Sequence, residues 1–168
     1  MNDISNGKIS QCHIALKKQG FCTSSIDLPE HLYSDVKSEN FRNIDEIFKK
    51  LLRKNGELFN WLVQFTPYSI DHIEHIISLR DADNEWEEDG IWHDDGSRVL
   101  AFSLSLTIEK PEGGILEIRP KGATESYKIP TPDYGTIIVF KTGQDLFEHK
   151  INKVNKGKRL IIAGWLYK

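Results

Sequence analysis

Val99-Leu-Ala-Phe-Ser-Leu-Ser-Leu-Thr107 alternates bulky and small residues without a break. Along a strand, successive side chains point to opposite faces. Leu100, Phe102, Leu104 and Leu106 therefore share one face, while Val99, Ala101, Ser103, Ser105 and Thr107 share the other. A bulky face backed by a small, partly polar one suits a strand that covers a core with one side and lines a cavity with the other. Alternation alone is equally compatible with serines turned to solvent.

Similar short runs lie on either side: Ile73 to Leu79, Ile115 to Ile118, Thr136 to Phe140 and Leu160 to Tyr167. They are divided by turn-forming segments, Asp94-Asp-Gly-Ser97, Pro111-Glu-Gly-Gly114, Pro130-Thr-Pro-Asp-Tyr-Gly135 and Asn155-Lys-Gly157. Many short strands at this spacing predict a barrel or sandwich. The first third of the chain reads as mixed with helices. Asp27-Leu-Pro-Glu30 offers an N-cap with proline in the first turn. Ile44, Ile47, Phe48, Leu51 and Leu52 recur at helical spacing toward a stop at Asn55-Gly56. The expected architecture is mainly β with supporting α: a double-stranded β-helix (jelly roll) with N-terminal helices packed on the outside. One domain is expected over residues 1–168, with helical support over about 1–60 and the jelly-roll core over about 61–168.

Composition agrees with a single globular unit. The chain has 168 residues, 39% hydrophobic, with 22 Lys+Arg against 25 Asp+Glu for a net charge of −3. That balance gives no support to a nucleic-acid footprint, which needs a basic surface. No apolar run reaches membrane-spanning length, and residues 1–8 carry no apolar stretch of the kind a signal peptide needs. Cys12 and Cys22 are too few for a disulfide framework and lack metal-ligand spacing, so two buried thiols in a reduced, cytoplasmic protein are expected.

The chemistry is carried by Trp92-His-Asp-Asp-Gly96. In an extended segment His93 and Asp95 project to the same side and Asp94 points away. An imidazole and a carboxylate so placed can fill two positions on one metal, and a histidine from a distant strand would complete a 2-His-1-carboxylate triad suited to non-haem Fe(II). Taken alone, an H-x-D is weak, and a surface histidine beside a solvated aspartate explains it as well. His72-Ile-Glu-His75 offers a second such cluster, for which polar residues on a strand surface are the better explanation. The acidic run Glu85-Trp-Glu-Glu-Asp89 is either a lid with an aromatic contact or a solvated loop with a half-buried tryptophan. Trp165 is expected to pack in the core.

Downstream order adds to the H-x-D. His149 and Arg159 lie ten positions apart, and Trp165 follows six later. From about Ile91 to Tyr167 the chain resembles the prolyl-4-hydroxylase-like branch of the Fe(II)/2-oxoglutarate oxygenases. The likeness runs through five ordered elements. They are His93-Asp-Asp95, Arg98 to Leu106, Gly113-Gly-Ile-Leu-Glu-Ile118, Pro132-Asp-Tyr-Gly135 leading to Phe140, and His149 to Trp165.

The resemblance implies an Fe(II)- and 2-oxoglutarate-dependent dioxygenase, with O2 as second co-substrate and succinate and CO2 as products. His93, Asp95 and His149 would be the catalytic iron ligands. Arg159 would hold the distal carboxylate of 2-oxoglutarate, a task for which a permanently charged, bidentate guanidinium is suited. The carboxylate at Asp95 implies hydroxylation or demethylation rather than halogenation. Two tyrosines of the family's prolyl hydroxylases are absent: none stands in Asn84 to Trp92, and Ser105 occupies the strand position of the other, a candidate co-substrate contact. A peptidyl or amino-acid substrate is implied first and a small biosynthetic metabolite second, with no nucleic-acid or membrane partner. A cupin-type metalloenzyme independent of 2-oxoglutarate, and a metal-free jelly-roll binding module, are the competing readings.

Overall fold

The computed structural model describes residues 2–168, with side chains from residue 7 onward. Ten strands and four helices follow one another as α1 (Asn2–Gln19), β1 (Phe21–Ser25), α2 (Glu30–Lys37), α3 (Phe41–Leu52), α4 (Glu57–Leu62), β2 (His72–Asp81), β3 (Leu100–Ser105), β4 (Glu112–Gly113), β5 (Leu116–Pro120), β6 (Tyr127–Ile129), β7 (Thr136–Lys141), β8 (Phe147–Ile151), β9 (Val154–Lys156) and β10 (Lys158–Tyr167).

The major sheet runs β1-β7-β3-β10-β2, a smaller sheet runs β6-β5-β8, and β4 and β9 form a separate two-stranded pair. Every pairing is antiparallel. This is the jelly roll that the alternation in Val99 to Thr107 predicts. Leu100, Phe102 and Leu104 on one face of β3 join the core formed with Leu32, Ile44, Phe48 and Leu62 of the helices. Ala101 on the other face belongs to a second cluster, with Leu116 and Ile118 of β5 and Ile138 and Phe140 of β7. Ser103 and Ser105 are buried, so solvent exposure of the serines is ruled out.

Several boundaries differ from expectation, each for a local reason. Pro29 occupies the N-cap of α2, with no side-chain cap. The residue before a proline is biased to extended backbone, which delays the helix past Asp27. Asn40 caps α3 by accepting from the Asn43 amide at 3.4 Å. That helix stops at Leu52, and Asn55, at a φ of 66°, turns the chain so that Gly56 caps α4. The first sixty residues are not purely helical support, since β1 pairs with β7 and forms an edge of the major sheet.

Cys12 of α1 and Cys22 of β1 do not stay apart as two buried thiols. The turn at Gly20 folds α1 back on β1, and the two form a disulfide with a Cα–Cα distance of 5.1 Å. Among the described residues no helix is long and apolar enough to cross a membrane.

Candidate metal centre and co-substrate cavity

His93 and His149 are brought together by backbone. Their amides exchange hydrogen bonds, His93 N to His149 O at 3.0 Å and His149 N to His93 O at 2.9 Å, in an isolated antiparallel bridge. Residues so paired project from the same face, and the two imidazole centroids lie 4.4 Å apart. On β8, His149 is cross-strand from Ile118. Its neighbours Glu148 and Lys150 turn to the other side and pair with Arg119 and Glu117.

Asp95 follows two residues after His93 and reaches the same place. Its Oδ2 stands 3.9 Å from His149 Nε2. The wholly buried Thr142 fixes it twice, its Oγ1 accepting from Asp95 N at 3.0 Å and donating to Asp95 Oδ2 at 2.8 Å. The approach of these two segments requires Gly143, where a Cβ would lie 2.1 Å from the Gly96 carbonyl oxygen. Asp94 turns away to Lys121 at 2.6 Å. Trp92, just before the bridge, is held between the Arg119 guanidinium at 3.7 Å and the Lys150 ammonium at 4.8 Å.

The ligand atoms of His93, Asp95 and His149 all lie within 4.8 Å of one another, the one such group among the described residues. The alternative cluster comes apart. His72 stacks on Tyr167, with centroids 4.6 Å apart, whereas His75 turns to Asp45 at 3.1 Å.

The donor set fits a divalent metal. His93 Nδ1 donates to the Ile91 carbonyl at 3.0 Å, which leaves Nε2 with its lone pair. Such an outer hydrogen bond is the usual orienting device of a metal-bound histidine. Burial, helped by the neighbouring His93 and opposed by the carboxylate of Asp95, brings His149 down to a pKa of about 4. Its imidazole is therefore neutral and able to donate at neutral pH. His149 Nδ1 is buried with no partner.

The three side chains open on a cavity of about 800 Å³, whose other walls include Ser103, Leu116, Phe140, Ile151 and Arg159. That volume lies in the range of small-molecule sites. Arg159 is 1% exposed, and its Nε and Nη1 have no hydrogen-bond partner. Burial, the adjacent Arg80 and, in opposition, Asp89 leave its pKa at about 10, so it stays charged at neutral pH. A buried cation without a counter-ion is costly, and here it faces a cavity that can admit an anion. Gly114, at a φ of 64°, lets the chain pass the stem of this arginine, since a Cβ there would sit 2.8 Å from Arg159 Cδ.

Ser105 and Trp165 resolve differently, and the acidic run matches the solvated loop with a half-buried tryptophan. Ser105 donates to the Pro132 carbonyl at 2.8 Å and is not in the cavity wall; the serine of β3 that lines it is Ser103, whose hydroxyl is buried without a partner. Trp165 is half-buried and lines the cavity as well as packing against the second cluster. Trp86 of the acidic run lies over the Arg80 guanidinium at 4.3 Å, and Asp89 forms an ion pair with Arg80. Sequence reasoning passed over Thr142 and Arg80. Arg80 gave no local signal, because its relation to Arg159 is one of register between β2 and β10. Thr142 offered none, because its partner is 47 positions away.

The model of the 2OG-Fe(II) oxygenase superfamily matches residues 78–167. A PKHD-type hydroxylase of Prochlorococcus marinus (strain MIT 9301) is 33% identical over 72 residues, which cover 42% of this chain but only 30% of that protein. Among solved structures, a Pseudomonas putida prolyl-4-hydroxylase matches at a TM-score of 0.61 and 17% identity, over 95% of this chain and 94% of that one. A Trichoplax adhaerens prolyl hydroxylase, solved with a hypoxia inducible factor peptide fragment, matches at 0.62 and 13% identity, over 99% and 94% of the two chains. A 2OG-Fe(II) oxygenase family oxidoreductase from Burkholderia pseudomallei matches at 0.63 and 14% identity, over 95% and 89%. At these identities the structural likeness is one of fold.

Proposed function

Because the chain belongs to the 2OG-Fe(II) oxygenase superfamily, we propose that it is a dioxygenase that hydroxylates a peptidyl or amino-acid substrate, with His93, Asp95 and His149 as its iron ligands and Arg159 as its anchor for 2-oxoglutarate. The balance is one C–H substrate, O2 and 2-oxoglutarate going to the alcohol, succinate and CO2. A single domain over residues 1–168 acting in the cytoplasm is part of the same proposal.

Bound Fe(II) would supply the activation of O2 and its coupling to decarboxylation of the 2-oxo acid. This chain's residues do the rest. The main-chain bridge aims both imidazoles at one point, and Thr142 holds the Asp95 carboxylate toward it. The neutral His149 donates without first losing a proton. Arg159 grips the far carboxylate of the co-substrate, fixing its direction as well as its charge. Leu116, Phe140 and Ile151 give the cavity apolar walls that limit water. Ile91 at the rim is 55% exposed and offers an apolar contact to an incoming substrate.

The observation that carries this reading is the sharing of one cavity by a three-ligand metal cluster and a buried, unpartnered guanidinium. Metal analysis of anaerobically purified protein, with 2-oxoglutarate turnover, tests it. Iron together with 2-oxoglutarate-dependent succinate release supports the oxygenase. Iron without that dependence supports the cupin reading, and protein that takes up no metal overturns both.

A further inference from the structure

Arg80 on β2 stands directly across from Arg159 on β10 in the antiparallel register. Their Cβ atoms are thus about 5 Å apart and leave the sheet on the same side. Both side chains line the same cavity, and they are only 7% and 1% exposed. Like charges directly opposite one another on a sheet repel. The repulsion registers on Arg159, whose pKa falls first through burial and next through Arg80.

Among the described residues one carboxylate, Asp89, is in contact with the pair, and Glu88 adds a more distant negative charge beside Arg80. Asp89 reaches Arg80 Nη1, and the Trp86 ring covers the same group at 4.3 Å. Arg80 Nε, Arg159 Nε and Arg159 Nη1 remain buried without partners. The pair therefore leaves donors from both arginines unsatisfied, beside a space large enough for a ligand. We propose that Arg80 is a second contact for the distal carboxylate of 2-oxoglutarate, so that this end of the co-substrate is recognised by two arginines rather than one. Asp89 and Trp86 hold Arg80 in place before the ligand arrives, which reduces the ordering that binding requires. The inference rests on the assignment of Arg159 made above.

Calorimetric titration of 2-oxoglutarate into the Mn(II)-loaded protein tests it, with pyruvate, which keeps the 2-oxo acid and lacks the distal carboxylate, as the second ligand. Arg80→Gln should raise the Kd for 2-oxoglutarate roughly tenfold or more, as expected for a lost charged hydrogen bond, and leave that for pyruvate unchanged. Should Arg80→Gln lower the melting temperature by stranding Asp89, the same ratio is read between Asp89→Asn and the Arg80→Gln/Asp89→Asn double variant. A change under twofold, or equal losses for both ligands, overturns the proposal. If Arg159→Ala weakens 2-oxoglutarate binding and the Arg80 variants do not, Arg80 merely fastens the loop and the functional reading stands. If neither arginine matters, both fall.

Discussion

Replacing Thr142 by valine keeps the shape of a wholly buried side chain and removes one oxygen. That oxygen accepts from the Asp95 amide at 3.0 Å and donates to the Asp95 carboxylate at 2.8 Å. The stranded amide should cost about 1–3 kcal/mol of folding stability, the usual penalty for a buried donor left unmade. The carboxylate loses the contact that aims it at the two histidines, and loss of such an outer partner lowers metal affinity about 10–100-fold. Thr142→Ser keeps both hydrogen bonds and gives up a methyl group, so it should hold metal almost as wild type does. Urea unfolding of the metal-free variants gives the first quantity, and competitive titration of Mn(II) against a chromophoric chelator gives the second. A valine variant that binds metal with wild-type affinity would refute the argument that Thr142 positions the ligand.

His93→Ala or His149→Ala should abolish both stoichiometric metal uptake and succinate release; near-normal turnover by either would remove the ligand assignment. Arg159→Ala should leave metal uptake intact and raise the 2-oxoglutarate requirement about tenfold or more, read as KM in a succinate assay, with an unchanged KM counting against the role. In the metal-free protein His149 has a folded pKa of about 4 against an ordinary 6.5. The unfolded chain thus takes up the proton first, and stability present above about pH 6.5 should be lost as pH falls through about 4. Denaturant midpoints measured across that window should show a shallower slope in His149→Asn, and an identical slope would reject the cause. Cleaving the Cys12–Cys22 pair, which closes a ten-residue separation, should lower stability by about 2–3 kcal/mol on chain-entropy grounds. Unfolding with and without reductant checks this, after non-reducing peptide mapping of the bond.

The parts of the fold that alternate cleanly were legible in advance. Val99 to Thr107 announced one face for the core because Leu and Phe alternate with Ala and Ser without interruption, while the choice between cavity and solvent for the other face came only from the structure. β8 was not legible as a strand. Its sequence Phe-Glu-His-Lys-Ile has a buried histidine where a hydrophobic residue would mark the inner face. α1 was missed because the faces it buries are thin: Cys12 and Leu16 are its buried apolar residues among those described. His93 and Asp95 stood out by residue type and spacing, and His149 and Arg159 through the family resemblance; the fold brings all four to one cavity. Arg80, Thr142 and the Cys12–Cys22 pair depend on register and on how segments meet in space, which no local window of sequence encodes.

The stretch from 82 to 92 is moored at both ends by main chain. Asp81 is matched to Lys158 at the end of the β2–β10 ladder, and His93 is matched to His149 eleven residues beyond 82. Residues inserted or deleted among the exposed positions 83–85 would be taken up as slack there, since neither mooring can slip by one position without turning its side chains to the wrong face. The exposed part of the span is thereby free to diverge, while Trp86, Asp89 and Ile91 keep Arg80 and His93 in position.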